Sequence, residues 1–247
     1  MNAAARVAES DVAAGRGDLI RGGRGGDALE FLGPRGRLSR MVAASAASPP
    51  PAPADPRFPH LRAEVIAGYL NAPETMVAEV IDGELSLLPR PAPRHANAAS
   101  EVYGELRNPF RRGRGGPGGW VILLEPELHL GARPDIVAPD LAGWRRERFP
   151  ANGIDEDAPA ALTLAPDWVC EVLSESTEAK DRGKKRRLYR REGVGYFWLV
   201  DPRDRTLEVY RLDNGRWIEL DTFEGNAVVR AEPFDAIELD LSAFCTL

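Results

Sequence analysis

Three acidic residues interrupt short apolar runs that are typical of buried strands. Glu79 lies within Met-Val-Ala-Glu-Val-Ile, Asp135 begins the run Asp-Ile-Val, and Glu171 lies within Trp-Val-Cys-Glu-Val-Leu-Ser at residues 168–174. An ionised carboxylate is unfavourable in such surroundings unless it is paired, protonated or bound to a metal. Where adjacent strands bring two such acids together, their oxygens suit Mg²⁺ or Mn²⁺. We therefore expect Asp135 and Glu171 to be metal ligands, with Glu79 as a further catalytic acid.

Neutralisation without a metal is the alternative reading of the same acids. Basic groups near Glu171 could compensate its charge, and an acid such as Glu79 could equally face solvent or pair with a neighbouring cation. The sequence leaves both readings open.

A basic helix is expected directly after the run that contains Glu171. Asp181, Lys185 and Tyr189 recur every four residues and would share one helix face. An ammonium group at Lys185 that reaches the carboxylates would stabilise charge developing on an attacked phosphate, or help deprotonate the attacking water. The alternative is a surface lysine on a basic helix.

Positive charge is concentrated locally although the chain has a formal net charge of −6. Bulk electrostatics therefore do not favour a protein that coats nucleic acid, but local basic patches remain able to bind it. We expect Arg111, Arg112 and Arg114, together with basic residues at 180–191, to hold a nucleic-acid backbone. The glycine-rich segment 111–119 should be mobile or shaped around a ligand.

Hydrophobic periodicity predicts the elements that position these residues. The patterns indicate one mixed α/β domain: a central sheet with helices before and across it, and a C-terminal antiparallel meander. Asp82-Gly83 and Asn214-Gly215 mark two hairpin turns. Helices are expected at 61–70, 94–106 and 178–192, and strands at 76–89 (a hairpin), 120–124, 129–130, 134–138, 168–173, 196–200, 206–211, 217–221 and 227–230. A polar excursion is expected between residue 138 and about residue 157.

The ends of the chain and its cysteines suggest further properties. Residues 1–56 are rich in Ala, Gly, Arg, Ser and Pro, which predicts a disordered extension before a domain at 57–247, and Met41 is an alternative start of translation. Cys170 and Cys245 should be reduced packing residues. No apolar run is long enough for a membrane span and no secretory pattern is seen, so we expect a cytoplasmic protein.

Taken together and in order, several short motifs resemble the Uma2 family of restriction-endonuclease-like proteins over about residues 58–220. The motifs are Glu79 with Ile81-Asp82-Gly83-Glu84-Leu85, His95, Pro134-Asp135-Ile136-Val137, Glu171-Val172-Leu173-Ser174, Asp181-x-x-x-Lys185-x-x-x-Tyr189, and Gly193-Val194-x-Tyr196-Phe197-Trp198-Leu199-Val200-Asp201-Pro202.

The resemblance implies a PD-(D/E)xK nuclease core: a mixed β-sheet flanked by helices, with acids matching Asp135 and Glu171 as ligands of a divalent metal. The superfamily's usual lysine two residues after the second acid is replaced here by Leu173. Uma2-like proteins draw this lysine from the following helix, which implies Lys185, with Lys184 as a less well-aligned substitute that would contact substrate. The resemblance also implies that Glu79 is an active-site acid. The histidine at 95 matches a recurrent family residue, for which a structural role is equally compatible.

Three functions follow from these patterns. The first is a Mg²⁺- or Mn²⁺-dependent endonuclease acting on nucleic acid, DNA rather than RNA, which could work as a homodimer. The second is a nucleic-acid-binding or regulatory module on the same fold that cleaves little or nothing. The third is a protein-interaction subunit without nucleic-acid contact.

Overall fold

The computed structural model describes residues 55–155 and 158–245, together with residues 31–32 and 38–39. Within 55–245, a six-stranded and a four-stranded β-sheet with helices packed on them form most of the structure, and a short two-stranded pair follows near the end. The strands are β1 Phe31–Leu32, β2 Leu38–Ser39, β3 Met76–Ile81, β4 Glu84–Pro89, β5 Trp120–Leu124, β6 Leu128–Leu130, β7 Asp135–Val137, β8 Leu141–Arg145, β9 Trp168–Val172, β10 Tyr196–Asp201, β11 Thr206–Asp213, β12 Arg216–Glu224, β13 Val228–Val229 and β14 Leu239–Asp240. The helices are α1 Ala63–Leu70, α2 Pro93–Leu106, α3 Glu178–Lys180, α4 Arg186–Arg191 and α5 Leu241–Cys245, with π-helical turns at Arg107–Arg111 and Asp181–Lys185.

A six-stranded mixed sheet forms the centre, in the order β12-β11-β10-β9-β8-β5. Its β9–β10 pair is parallel, and the other pairs are antiparallel. A parallel pair needs a crossover connection. Here the crossover contains α3, the π-helical turn and α4, so the predicted basic helix lies directly after β9. The predicted mixed sheet flanked by helices is confirmed.

Alternating side chains of β9 enter two different cores, as the sequence predicts. Trp168 and Cys170 pack with α2, whose stripe Ala98, Val102 and Leu106 is fully buried. On the other face, residues such as Val169 and Leu173 pack against α4 and the second sheet. Burial of both faces explains why β9 reads as a continuous apolar run, and it leaves Glu171 without solvent on either side.

The second sheet is antiparallel, in the order β4-β3-β7-β6. The predicted hairpin at Asp82-Gly83 is confirmed, and both turn residues have positive φ, 52° and 75°. Helix α1 covers this sheet through Val65 and Ile66, which contact the same small core as Val80. Strand β3 carries Glu79 toward the central sheet, and thus brings the first predicted acid near β9.

Two expectations for the strands need correction. The segment after β7 was expected to be a polar excursion, but Leu141–Arg145 forms β8, which pairs with β9. Gly143 weakens the apolar pattern of this strand in the sequence. A Cβ there would lie 3.1 Å from a ring carbon of Trp168, which is a tight contact, so glycine suits the close approach of the ring. The predicted C-terminal meander is confirmed for β11 and β12, which pair antiparallel. Strand β13 pairs with β14 and does not extend this meander.

The predicted disordered extension lies mostly outside the described residues. Within it the structure describes the short antiparallel pair β1–β2, and the domain boundary at residue 57 stays a prediction. Cys170 is free and buried, and burial raises the pKa of its thiol well above the ordinary value. Among the described helices, none has the length and apolar character needed to cross a bilayer.

The glycine-rich segment 111–119 is shaped by its own chain. The amide of Arg114 donates to the carbonyl of Asn108 and that of Gly118 to the carbonyl of Pro109, both at 2.8 Å. Gly116 lies so close to this proline that a Cβ would come within 2.4 Å of the Pro109 Cβ and 2.8 Å of its Cα. Close packing against the preceding turn therefore accounts for this glycine.

Replacing Gly116 by alanine is expected to destabilise the protein by about 1–3 kcal/mol, because backbone atoms of Pro109 would have to move. Gly104→Ala is the matched control, since Gly104 lies in α2 with nothing within 4 Å of the added Cβ. That change should stabilise the protein by about 0.5–1 kcal/mol. Urea unfolding measures both, and equal effects of the two changes would contradict the packing argument.

Candidate active site

A cavity of about 560 Å³ is lined by residues from both sheets and from the helices on them. This volume is in the range of ligand sites, about 300–1,000 Å³. Its charged lining includes Glu79 of β3, His95 of α2, Asp140 before β8, Glu171 of β9, and Asp181 and Lys185 of the π-helical turn. The structure therefore brings three of the predicted residues together: Glu79, Glu171 and Lys185.

The ammonium group of Lys185 is buried among three carboxylates. Its Nζ lies 3.1 Å from Glu79 Oε1, 3.0 Å from Glu171 Oε2 and 3.6 Å from Asp181 Oδ1. Burial alone would lower the pKa of Lys185, but the carboxylates of Glu171 and Glu79 raise it well above the ordinary value. The lysine is therefore a fixed positive charge at the acids.

Glu171 is fully buried and accepts hydrogen bonds from two side chains. The hydroxyl of Tyr189 donates to Oε1 at 2.5 Å, and Lys185 donates to Oε2 at 3.0 Å. Burial nevertheless raises the pKa of Glu171 well above its ordinary value of 4.5, and the charges of Asp181, Asp140 and Glu79 act in the same direction. The carboxyl group is held in one orientation, while its negative charge stays only partly compensated.

Glu79 differs from Glu171 because two lysines, Lys180 and Lys185, contact it. Lys180 donates to Oε2 at 2.5 Å, and the backbone amide of Ala138 donates to Oε1 at 3.1 Å. Burial acts to raise the pKa of Glu79, but Lys185 and Lys180 outweigh it, so the pKa is lowered. Glu79 is thus ionised and buried, which decides against the solvent-facing reading.

Asp140 is a site residue that the sequence analysis missed. Its Oδ2 accepts a hydrogen bond from the amide of Val172 at 2.6 Å and lies 3.2 Å from Nε2 of His95. Burial would lower the pKa of His95, but the carboxylate of Asp140 raises it. The available signal was a second Pro-Asp, at 139–140, followed by the short apolar run Leu-Ala-Gly-Trp.

Asp135 does not meet Glu171 in the structure. It lines a different cavity, accepts a hydrogen bond from the amide of Asp82 at 2.8 Å, and pairs with Arg191. The reason is strand pairing: β7 joins β3 in the second sheet, and its first residue lies beside the β3–β4 turn. Asp135 and Glu171, the predicted metal pair, therefore line different cavities, whereas Asp140 lines the same cavity as Glu171.

The predicted substrate-binding residues also lie away from the acids. Trp120 pairs with Arg145 and Leu124 with Leu141, so segment 111–119 precedes the end of β5 that is remote from Asp140. The two ends of such a strand are about 13 Å apart. Arg111 donates to the hydroxyl of Tyr103 and the carbonyl of Ile122, whereas Arg112 and Arg114 are exposed. Lys184 pairs with Glu84 on the surface.

The residues of the cavity fit a small divalent cation. Four acids, Glu79, Asp140, Glu171 and Asp181, line the cavity, whereas Lys185 is the one ammonium group in its described lining that contacts them. Buried atoms Asp181 Oδ1 and His95 Nδ1 have no hydrogen-bond partner among the described residues. Mg²⁺ is commonly held by one or two carboxylates, with water and substrate completing its shell.

A complete protein cage for a metal is not formed by the described residues, which contain no group of three or more His, Cys, Asp or Glu arranged to hold an ion. Lys185 contacts one oxygen of Glu79 and one of Glu171, so both of these oxygens already have a cationic partner. A metal held here would therefore use Asp140 and Glu171, which line the same cavity, with its other ligands coming from outside the protein.

Comparison of the fold defines the class of protein. The chain is similar to a crystal structure described as a "putative nuclease belonging to DUF820" from Anabaena variabilis, with a TM-score of 0.58 and 23% identity over 72% of this chain and 96% of that chain. The two proteins therefore share a mixed α/β fold. Residues 66–242 match the family described as "Uma2: Putative restriction endonuclease", and the chain belongs to the Uma2 family. No curated protein matches the chain.

Proposed function

We propose that this chain is a divalent-metal-dependent nuclease that hydrolyses phosphodiester bonds, with DNA as its substrate. The single observation that carries the proposal is the buried cluster in which Lys185 contacts Glu79 and Glu171 while Asp140 lies beside them. Uma2 membership and the nuclease-like fold support it. A cytoplasmic location and a homodimeric state stay predictions.

Asp140 and Glu171 are the proposed metal ligands. When bound, Mg²⁺ or Mn²⁺ would supply Lewis-acid activation of a phosphoryl oxygen and of the attacking water. The protein orients both carboxylates beforehand, since the Val172 amide and His95 hold Asp140, and Tyr189 and Lys185 hold Glu171. Such preorganisation avoids reorganisation during the reaction.

Lys185 is proposed to stabilise the negative charge that develops on the phosphate. Its raised pKa means that it carries a full positive charge at neutral pH, so it acts as an electrostatic group and hydrogen-bond donor rather than as a general base. Glu79 and Asp181 also lie close to the ammonium and help to keep it in place. Lys180 in turn compensates Glu79.

Incubation of the purified chain with supercoiled plasmid and Mg²⁺ or Mn²⁺ tests the proposal. We expect nicked or linear products with either metal and no products when a chelator is present, because the carboxylates alone do not activate water for this reaction. Cleavage that persists in excess chelator, or no cleavage with any divalent metal, would contradict it.

A non-cleaving nucleic-acid-binding module is the second candidate, and one observation favours it. Lys185 already compensates Glu79 and Glu171, which is the metal-free alternative considered for these acids. Calorimetric titration of the chain with Mn²⁺ separates the two candidates. Heat of binding that disappears in an Asp140→Asn variant supports the nuclease, and the absence of such heat supports the module.

A further inference from the structure

An arginine-rich cleft of about 610 Å³ lies on the outer side of α4. Arg187, Arg190 and Arg191 of α4 line it together with Arg216, which follows the Asn214-Gly215 turn between β11 and β12. Two elements that are distant in sequence thus direct guanidinium groups into one open groove. We call it the arginine cleft.

Three of these arginines have uncompensated charge. Arg187, Arg190 and Arg216 are exposed, and none of them forms a hydrogen bond or ion pair through its side chain with any residue the structure describes. Arg191 differs, because it is bound to Asp82, Asp135 and Glu192. Within the described lining of the cleft, Asp82 supplies the sole carboxylate, and Arg191 pairs with it at 3.1 Å.

Such an arrangement is suited to an extended polyanion. Positions 187 and 190 are one helical turn apart, and side chains at this spacing are neighbours with Cβ atoms about 5–6 Å apart. Guanidinium groups bind phosphate oxygens through paired hydrogen bonds, and they are easily stripped of water. An open groove with three free guanidinium groups in a chain of net charge −6 provides several phosphate contacts in a row.

The cleft is also connected to the candidate active site. Lys185 projects inward to the acids, and Arg187 and Arg190 project outward from the next turns of the same crossover. A polymer bound in the cleft would therefore lie against the element that presents the catalytic lysine. The neighbouring Arg186 is not part of this surface, because its guanidinium stacks on Tyr210 with 4.4 Å to the ring centroid.

We propose that the arginine cleft binds the phosphodiester backbone of the nucleic acid outside the active site, through Arg187, Arg190 and Arg216. This inference rests on the proposed function and adds the surface that holds the substrate. It assigns backbone binding to this face rather than to segment 111–119.

Fluorescence anisotropy of a labelled DNA duplex, with the full chain in chelator, tests the cleft without any cleavage. The variant Arg187→Gln/Arg190→Gln is compared with the charge-matched control Arg112→Gln/Arg114→Gln, and Arg216→Gln is then added to the first. Each cleft substitution should reduce the slope of log affinity against log salt by about one unit. Glutamine is a good helix former, so α4 should persist, which circular dichroism checks.

The inference is supported if the cleft variant loses affinity and salt slope while the control retains both. It is overturned if the cleft variant binds like the parent chain, or if the control loses as much. The proposed function can fail separately from this inference. If the parent chain binds DNA through the cleft but does not cleave plasmid, the nuclease proposal is contradicted and the cleft proposal is not. An Asp140→Asn chain, which keeps the cleft but lacks a proposed metal ligand, should bind DNA like the parent.

Discussion

Asp140→Asn is expected to abolish plasmid cleavage, whereas Asp135→Asn should leave the cleavage rate nearly unchanged. Asp140 lies at the amide of Val172, next to Glu171, and the substitution removes one of two carboxylates proposed to hold the metal. Loss of several kcal/mol of transition-state stabilisation corresponds to a rate decrease on the order of 10³-fold. Glu171→Gln should have a comparable effect.

Asp135→Asn is the matched control for this experiment, because it makes the same chemical change in a different cavity. An asparagine oxygen can still accept the hydrogen bond from the Asp82 amide, and the pair lost with the half-exposed Arg191 should contribute about 1 kcal/mol or less. Rates are compared at equal folded fraction, as judged by thermal unfolding. Equal loss in both variants, or loss in Asp135→Asn alone, would show that Asp140 is not the ligand.

Of the substitutions considered, Lys185→Met should reduce the free energy of unfolding most. The substitution keeps most of the side-chain volume but removes the ammonium from Glu79, Glu171 and Asp181, all of which are buried. Removing one partner of a buried charge cluster typically costs about 3–5 kcal/mol. Urea unfolding at neutral pH measures the difference. Lys184→Met is the control, because its pair with Glu84 is on the surface and should contribute about 1 kcal/mol or less.

Acidic pH should reduce the defect of Lys185→Met. The pKa of Glu171 in the folded protein is raised above its ordinary value of 4.5, so the folded chain binds this proton more readily than the unfolded chain. The unfavourable burial of its charge is therefore present above the folded-state pKa and disappears as the pH falls to about 4.5. Loss of the ammonium raises this pKa further.

A second substitution provides an independent check of that cluster. Glu171→Gln combined with Lys185→Met should be more stable than the sum of the single effects, because the repulsive charge is removed together with its partner. An additive result, or a defect in Lys185→Met that does not change with pH, would mean that Lys185 does not compensate these acids.

Local patterns in the sequence were sufficient to identify most elements and part of the site. Alternation along 168–174 places Glu171 inside a buried strand, and the spacing of Lys185 and Tyr189 brings both to its carboxylate. These inferences succeed because they depend on the periods of one strand and one helix, which the order of side chains sets directly. The family and fold also followed from the ordered motifs.

Only the tertiary structure shows which of the two Pro-Asp sequences places its aspartate in the cavity with Glu171. Asp135 and Asp140 both precede short apolar runs and look equivalent along the chain. Strand pairing separates them. Strand β7 pairs with β3 and places Asp135 beside the hairpin turn. Strand β8 pairs with β9, Leu141 opposite Cys170, and this register places Asp140 at the level of Glu171. Pairing between distant strands depends on the packing of the whole sheet, which no local period records. The same reason separates segment 111–119 from the acids, because the register of β5 on β8 directs it to the other end of the sheet.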